Sequence, residues 1–164
     1  MDPAMTNIHV QSEPLPKDSA LRRLIGDGDF VDCYGADAII TPRAAARIIT
    51  DWPIWARALL GLRRAITAPF GLSNDGPDAT DKVGPFPVES ETSTELIAGF
   101  DDAHLNFRIS VMTKGDRVRL ATWVHPHNLA GRAYLALIMP FHILIARNAI
   151  ARVRAAQSAA PTPE

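Results

Sequence analysis

The chain has one cysteine, Cys33, among 164 residues. That excludes an intramolecular disulfide and any cysteine-based zinc cluster, so the fold must rest on its own core. An excess of either charge is also missing: 17 Lys and Arg stand against 18 Asp and Glu, which excludes the electrostatic footprint of a general nucleic-acid binder. Carboxylates are absent from Arg117 through Pro163, a stretch that holds six arginines and so presents a locally basic half. There is no Gly-rich phosphate loop, no Gly-x-Ser-x-Gly elbow and no paired-carboxylate signature, so no familiar catalytic mechanism is assembled. Long apolar runs are short of a bilayer's needs. The uncharged run Ala133 to Ala146 has 14 residues, against the roughly 20 of a spanning helix, so no integral membrane segment is expected. The first residues lack a basic start followed by an apolar stretch, and with a single thiol this leads to an expected cytoplasmic location. Fourteen arginines against three lysines, with abundant alanine, suggest a bacterial source.

What is present reads as one domain. A hydrophobic share of 47% and a charged share of 21% suit an ordinary globular core at this length. Residues 1–28 are polar and weakly patterned, and are expected to be poorly ordered. Residues 29–156 carry the domain, and 157–164 form a disordered tail. Phe30 to Tyr34 reads as a strand, with Cys33 a small buried hydrophobe. Thr41-Pro42 is an N-cap followed by proline at the first helical position, predicting a helix over 42–50. A second helix runs from Pro53 to about Ala68, with Trp52 and Trp55 as core anchors of the helical pair. The Pro-, Gly- and Asp-rich stretch 69–82 is the expected mobile loop.

The period then changes from helical to twofold. Phe86 to Glu91 and Glu95 to Phe100 read as strands, followed by a hairpin from His104 to His125. If Gly115-Asp116 is its two-residue loop, Phe107 pairs with Val124, Ile109 with Thr122 and Val111 with Leu120, leaving one face apolar. His104, Asn106 and Arg108 then share the other face with His127, His125 and Trp123, with Arg108 able to lie on Trp123. Asn128 caps a final long helix from Leu129 to about Ala156, apolar nearly all round, with a bend expected at Pro140.

Several stretches together carry a resemblance: Asp29-Phe30-Val31-Asp32, Trp55-Ala56-Arg57-Ala58-Leu59-Leu60, Pro69-Phe70-Gly71-Leu72, Val83-Gly84-Pro85-Phe86, His104-Leu105-Asn106-Phe107-Arg108, and His127 through Tyr134 followed by Pro140-Phe141-His142. They resemble a bacterial family catalogued only as a domain of unknown function. The element order resembles the helix-grip fold of the START-like and polyketide-cyclase-like superfamily (SRPBCC). The resemblance implies an α+β fold in which an antiparallel sheet wraps a long C-terminal helix around a cavity, with two short helices after the first strand.

The function expected first is binding of a small, mostly apolar molecule between sheet and helix. Phe107, Ile109, Ile138 and Phe141 would supply the walls. His127, Asn128, Arg132, Tyr134 and His142 would supply the few polar contacts such pockets use. An enzyme of the cyclase or hydrolase kind, using a cavity histidine as acid or base, is the second expectation. A non-catalytic interaction or membrane-surface module using the arginines of 53–68 and of the C-terminal half is the third. His125-x-His127 with His104 could converge on a metal, but Pro126 interrupts the strand geometry and no acidic or cysteine ligand accompanies them, so neither metal nor cofactor is expected. A homodimer is compatible with the sequence.

Overall fold

The structure, a computed structural model, describes residues 10–70 and 76–158. Expectations for 1–9, for the loop residues 71–75 and for the tail beyond 158 lie outside the described residues. One antiparallel sheet is built from β1 (Gln11–Ser12), β2 (Phe30–Asp37), β3 (Lys82–Val83), β4 (Phe86–Glu91), β5 (Glu95–Asp101), β6 (Leu105–Lys114) and β7 (Arg117–Pro126). Its order is β1-β2-β7-β6-β5-β4-β3. Helices α1 (Pro42–Thr50) and α2 (Ile54–Thr67) follow β2, and α3 (Leu129–Ser158) closes the chain against the sheet. The fold is α+β, with the long C-terminal helix laid on the sheet in a helix-grip arrangement.

Local chemistry sets the element ends. The Thr41 side chain accepts from the Ala44 amide at 3.3 Å, and Pro42 occupies the first helical turn. Gly115, at φ +62°, makes the tight turn between β6 and β7. Their register pairs Phe107 with Val124, Ile109 with Thr122 and Val111 with Leu120, as the alternation requires. Asn128 Oδ1 accepts from the Gly131 amide at 2.9 Å and starts α3. A Cβ at position 131 would collide with the His104 carbonyl oxygen, so only glycine lets α3 begin this close to β6.

The two sheet faces have different covers. On the inner face Tyr34, Ala36, Leu96, Val111, Val118 and Leu120 pack with α1 and the C-terminal half of α3. On the outer face Cys33, Ile97, Ala121 and Trp123 pack beneath Leu15 and Leu21. The segment before β2 thus contributes Leu15 and Leu21 to the cover of this face. Glu95, buried on this outer face, accepts from Ser19 Oγ (2.7 Å), the Ala20 amide (2.8 Å) and Ser110 Oγ (2.6 Å). Glu13 receives Arg117 Nε at 2.8 Å and Arg119 Nε at 2.6 Å, and a side chain at Gly35 would occupy the space of its carboxylate. Burial works against ionising Glu13, yet the two arginines hold its carboxyl below the usual range.

Two expectations about the helices are corrected. Helix α3, which contains Pro140, is not covered all round: it buries Gly131, Ala146, Ala149, Ile150 and Val153. Its first half leaves Leu129, Leu137, Phe141 and Leu144 exposed, and only 11% of its most apolar 18-residue window is buried. By length and composition alone α3 is long and apolar enough to cross a membrane. Helix α2 likewise buries only Ala56 and Thr67, and its Ile54, Trp55, Leu62 and Ile66 face outward, so Trp55 is not a core anchor. Trp52 packs edge-on against Phe86, with ring centroids 5.9 Å apart.

One residue ties the C-terminal half of α3 to α1. Arg152 donates to the carbonyls of Ile48 (2.7 Å), Asp51 (2.6 Å) and Ile49 (3.3 Å), meeting the unpaired carbonyls and negative dipole at the end of α1. Replacing Arg152 with Met leaves those carbonyls without donors and is expected to lower stability by about 1–3 kcal/mol in urea unfolding. Arg152→Lys is expected to restore less than half, because an ammonium cannot fork across three acceptors. Unchanged unfolding in both variants would contradict the clamp.

Candidate functional site

The same placement that buries the last turns of α3 leaves a gap beneath its first half. Strands β5, β6 and β7 end in Phe100, Leu105, Phe107, Ile109, Thr122 and Val124 on the inner face, and these side chains form the floor of a cavity. Tyr134, Leu135, Ile138, His142 and Ile145 of α3 form one wall at helical spacing. Residues Arg57, Leu60, Gly61, Arg63 and Arg64 of α2 form the other. The volume is about 470 Å³, within the range of small-molecule sites. Edge-to-face contacts between Phe86 and Phe107 (5.4 Å) and between Phe100 and Phe107 (4.8 Å) stiffen the floor.

Two polar pairs interrupt the apolar lining. The Arg63 guanidinium lies over the Tyr134 ring, 5.3 Å from its centroid. Its Nε is buried without a hydrogen-bond partner among the described residues. Burial pushes the Tyr134 phenol above its ordinary range, and the Arg63 charge pulls the other way. The second pair is His142 with Asp32, with Nε2 2.8 Å from Oδ2. Asp32 comes from β2, on the face it shares with Tyr34, and its other oxygen is buried without a partner among the described residues. The edge of Phe30 holds the His142 ring, with centroids 5.8 Å apart. With Nε2 held by the carboxylate, the second ring nitrogen of His142 has no hydrogen-bond partner among the described residues.

Of the residues singled out from sequence, Phe107, Ile109, Tyr134, Ile138 and His142 line the cavity. Four others stand elsewhere. His127 pairs with Asp101 at 2.6 Å at the end of β5. Asn128 serves as the α3 cap. Arg132 and Phe141 face outward on α3. His125 pairs with Asp29 at 2.6 Å and stacks on Trp123, taking the place expected for Arg108, which reaches Glu89 and Asn106 instead. Asp29 also accepts from Trp123 Nε1 and the Gly26 amide, both at 2.8 Å. Burial opposes its charge, but these donors hold its carboxyl below the usual range. Sequence reasoning missed Arg63 and Asp32. The alternation of β2 put Asp32 on the same face as Tyr34, which was the available signal. Among the described residues no group of three or more His, Cys, Asp or Glu is arranged to hold a metal.

Burial raises the phenol of Tyr34 as well, with the Asp32 charge adding to it and Arg147 opposing. The chain has only these two tyrosines. A spectrophotometric titration of the native protein is therefore expected to show both ionising above the ordinary value of about 10. Their contribution to stability is complete below that value and is lost as pH rises through the higher native values. A native midpoint at or below the value in denaturant would contradict this account.

The family model described as "Protein of unknown function (DUF2867)" matches residues 24–149. No curated protein and no solved structure matches the chain.

Proposed function

We propose that this chain, which belongs to the family described as Protein of unknown function (DUF2867), binds a small, mostly apolar molecule between its sheet and the first half of α3. The observation that carries the reading is the cavity of about 470 Å³. Its lining is mostly apolar, with a small number of polar groups that include the Arg63–Tyr134 pair and His142, the combination that fixes a ligand's orientation. The resemblance to START-like helix-grip proteins supports the same reading by analogy of fold alone. The exposed apolar side chains of α2 and the first half of α3 would make the rim by which such a molecule enters.

Binding is preferred to catalysis on geometry. Tyr134 and His142 are eight residues apart on α3, about 12 Å along its axis at 1.5 Å per residue. The Arg63–Tyr134 and His142–Asp32 pairs therefore stand at two separate places along the helix, which suits holding a ligand lengthwise.

Gly61 gives a clean test, because it lines the cavity and a Cβ added there meets nothing within 4 Å. Gly61→Phe is expected to fold at least as stably as the parent, since Gly costs a helix interior about 1 kcal/mol relative to Ala. It is also expected to weaken uptake of the apolar fluorophore N-phenyl-1-naphthylamine about tenfold or more, roughly 1.4 kcal/mol. A folded Gly61→Phe protein that takes up the probe like the parent would refute the site.

A further inference from the structure

We propose that the ligand is an amphipathic carboxylate, with its anionic head on Arg63 and Tyr134 and its apolar chain running along Phe107 and Ile109 toward His142. This inference rests on the cavity being a binding site and adds the chemical class of its occupant.

The carboxylate follows from an incomplete charge. Arg63 points a permanently charged guanidinium into a largely apolar space, with Nε buried and unpartnered among the described residues. A desolvated donor of that kind costs about 1–3 kcal/mol when left unmade. The Tyr134 ring beneath offers the guanidinium its face but accepts no hydrogen bond from Nε. Arg63 stands out on its wall, because Arg57 beside it already has Asp51 at 3.9 Å, and among the described lining residues the carboxylate is Asp102. Asp102 Oδ1 already accepts from the Ala103 amide at 2.7 Å. A planar carboxylate matches the guanidinium fork, and the Tyr134 hydroxyl on the facing wall would add a donor. A phenol is neutral at physiological pH, and burial moves Tyr134 further in that direction.

The apolar chain follows from what lies beyond the head. From Tyr134 the wall continues through Leu135, Ile138 and Ile145 over a floor of Phe107 and Ile109, without another cation. His142 lies about 12 Å further along α3. With Asp32 holding one ring nitrogen, it has a second ring nitrogen that a distal hydroxyl on the ligand would satisfy as donor or acceptor.

Decanoate and decan-1-ol differ chiefly in the head group, and calorimetric titration of each into the parent protein separates the two readings. Decanoate is expected to bind at least tenfold tighter, the discrimination of a hydrogen bond to a charged group. Arg63→Gln is expected to abolish that preference so that the two compounds bind alike, with its cooperative urea unfolding transition serving as the folding control. Arg63→Lys keeps the charge without the fork and is expected to fall between them. Equal affinity for the two compounds, or a preference that survives Arg63→Gln, would overturn the carboxylate assignment while leaving the cavity reading intact. Failure of both compounds to bind the parent would overturn both.

Discussion

The cavity exists because α3 is held at both ends and packed along only one half. Near its C-terminus, Ala146, Ala149, Ile150 and Val153 are small or branched enough to sit directly on the sheet and α1. Arg152 fixes that contact by filling the carbonyl end of α1. At the other end the Asn128 cap and the absence of a side chain at Gly131 seat the helix on the β6 end. Between these two anchors the helix carries Tyr134, Ile138 and His142 over aromatic and branched strand residues without meeting them in a dry interface. The gap therefore lies between two supports, each set by close contacts of the helix with the rest of the fold.

The polar chemistry is sorted by the same geometry. Each of the three histidines at the strand ends and on α3 has its own carboxylate: His125 with Asp29, His127 with Asp101, and His142 with Asp32. The first two stand near the open end of the sheet and hold the strand termini and the chain before β2. Only His142 faces the cavity, with a carboxylate behind it that burial has stripped of other partners. Arg63 is the complementary group on the opposite helix, charged and with its buried Nε lacking an acceptor among the described residues. A largely apolar floor with a cation at one end and an imidazole at the other orients a ligand lengthwise.

Much of this was legible in the sequence, and for physical reasons. Strict alternation from Leu105 to Val111 and from Arg117 to His125, joined by Lys114-Gly115-Asp116-Arg117, leaves one workable register, because a slip of one residue would turn Phe107 and Ile109 to the outer face. Thr41-Pro42 and Asn128 mark helix starts through hydrogen bonds that are local in the chain. What was hidden depends on contacts distant in sequence. The pairing of Asp32 with His142 spans 110 residues, and that of Glu13 with Arg117 spans 104. Periodicity also says which face of a helix is apolar but not whether anything covers it. For that reason α2 and the first half of α3 read as buried, whereas Ile54 is 87% exposed and Leu129 83% exposed.

The central claim is that the gap under α3 is occupied in the cell. Native mass spectrometry of the protein purified gently from its own host, followed by denaturation to release and weigh what it carries, addresses that claim most directly. A reproducible adduct of one small acidic amphiphile, displaced by added decanoate, is the result this account predicts. A protein that arrives bare in every preparation and gains no mass with excess decanoate would contradict it.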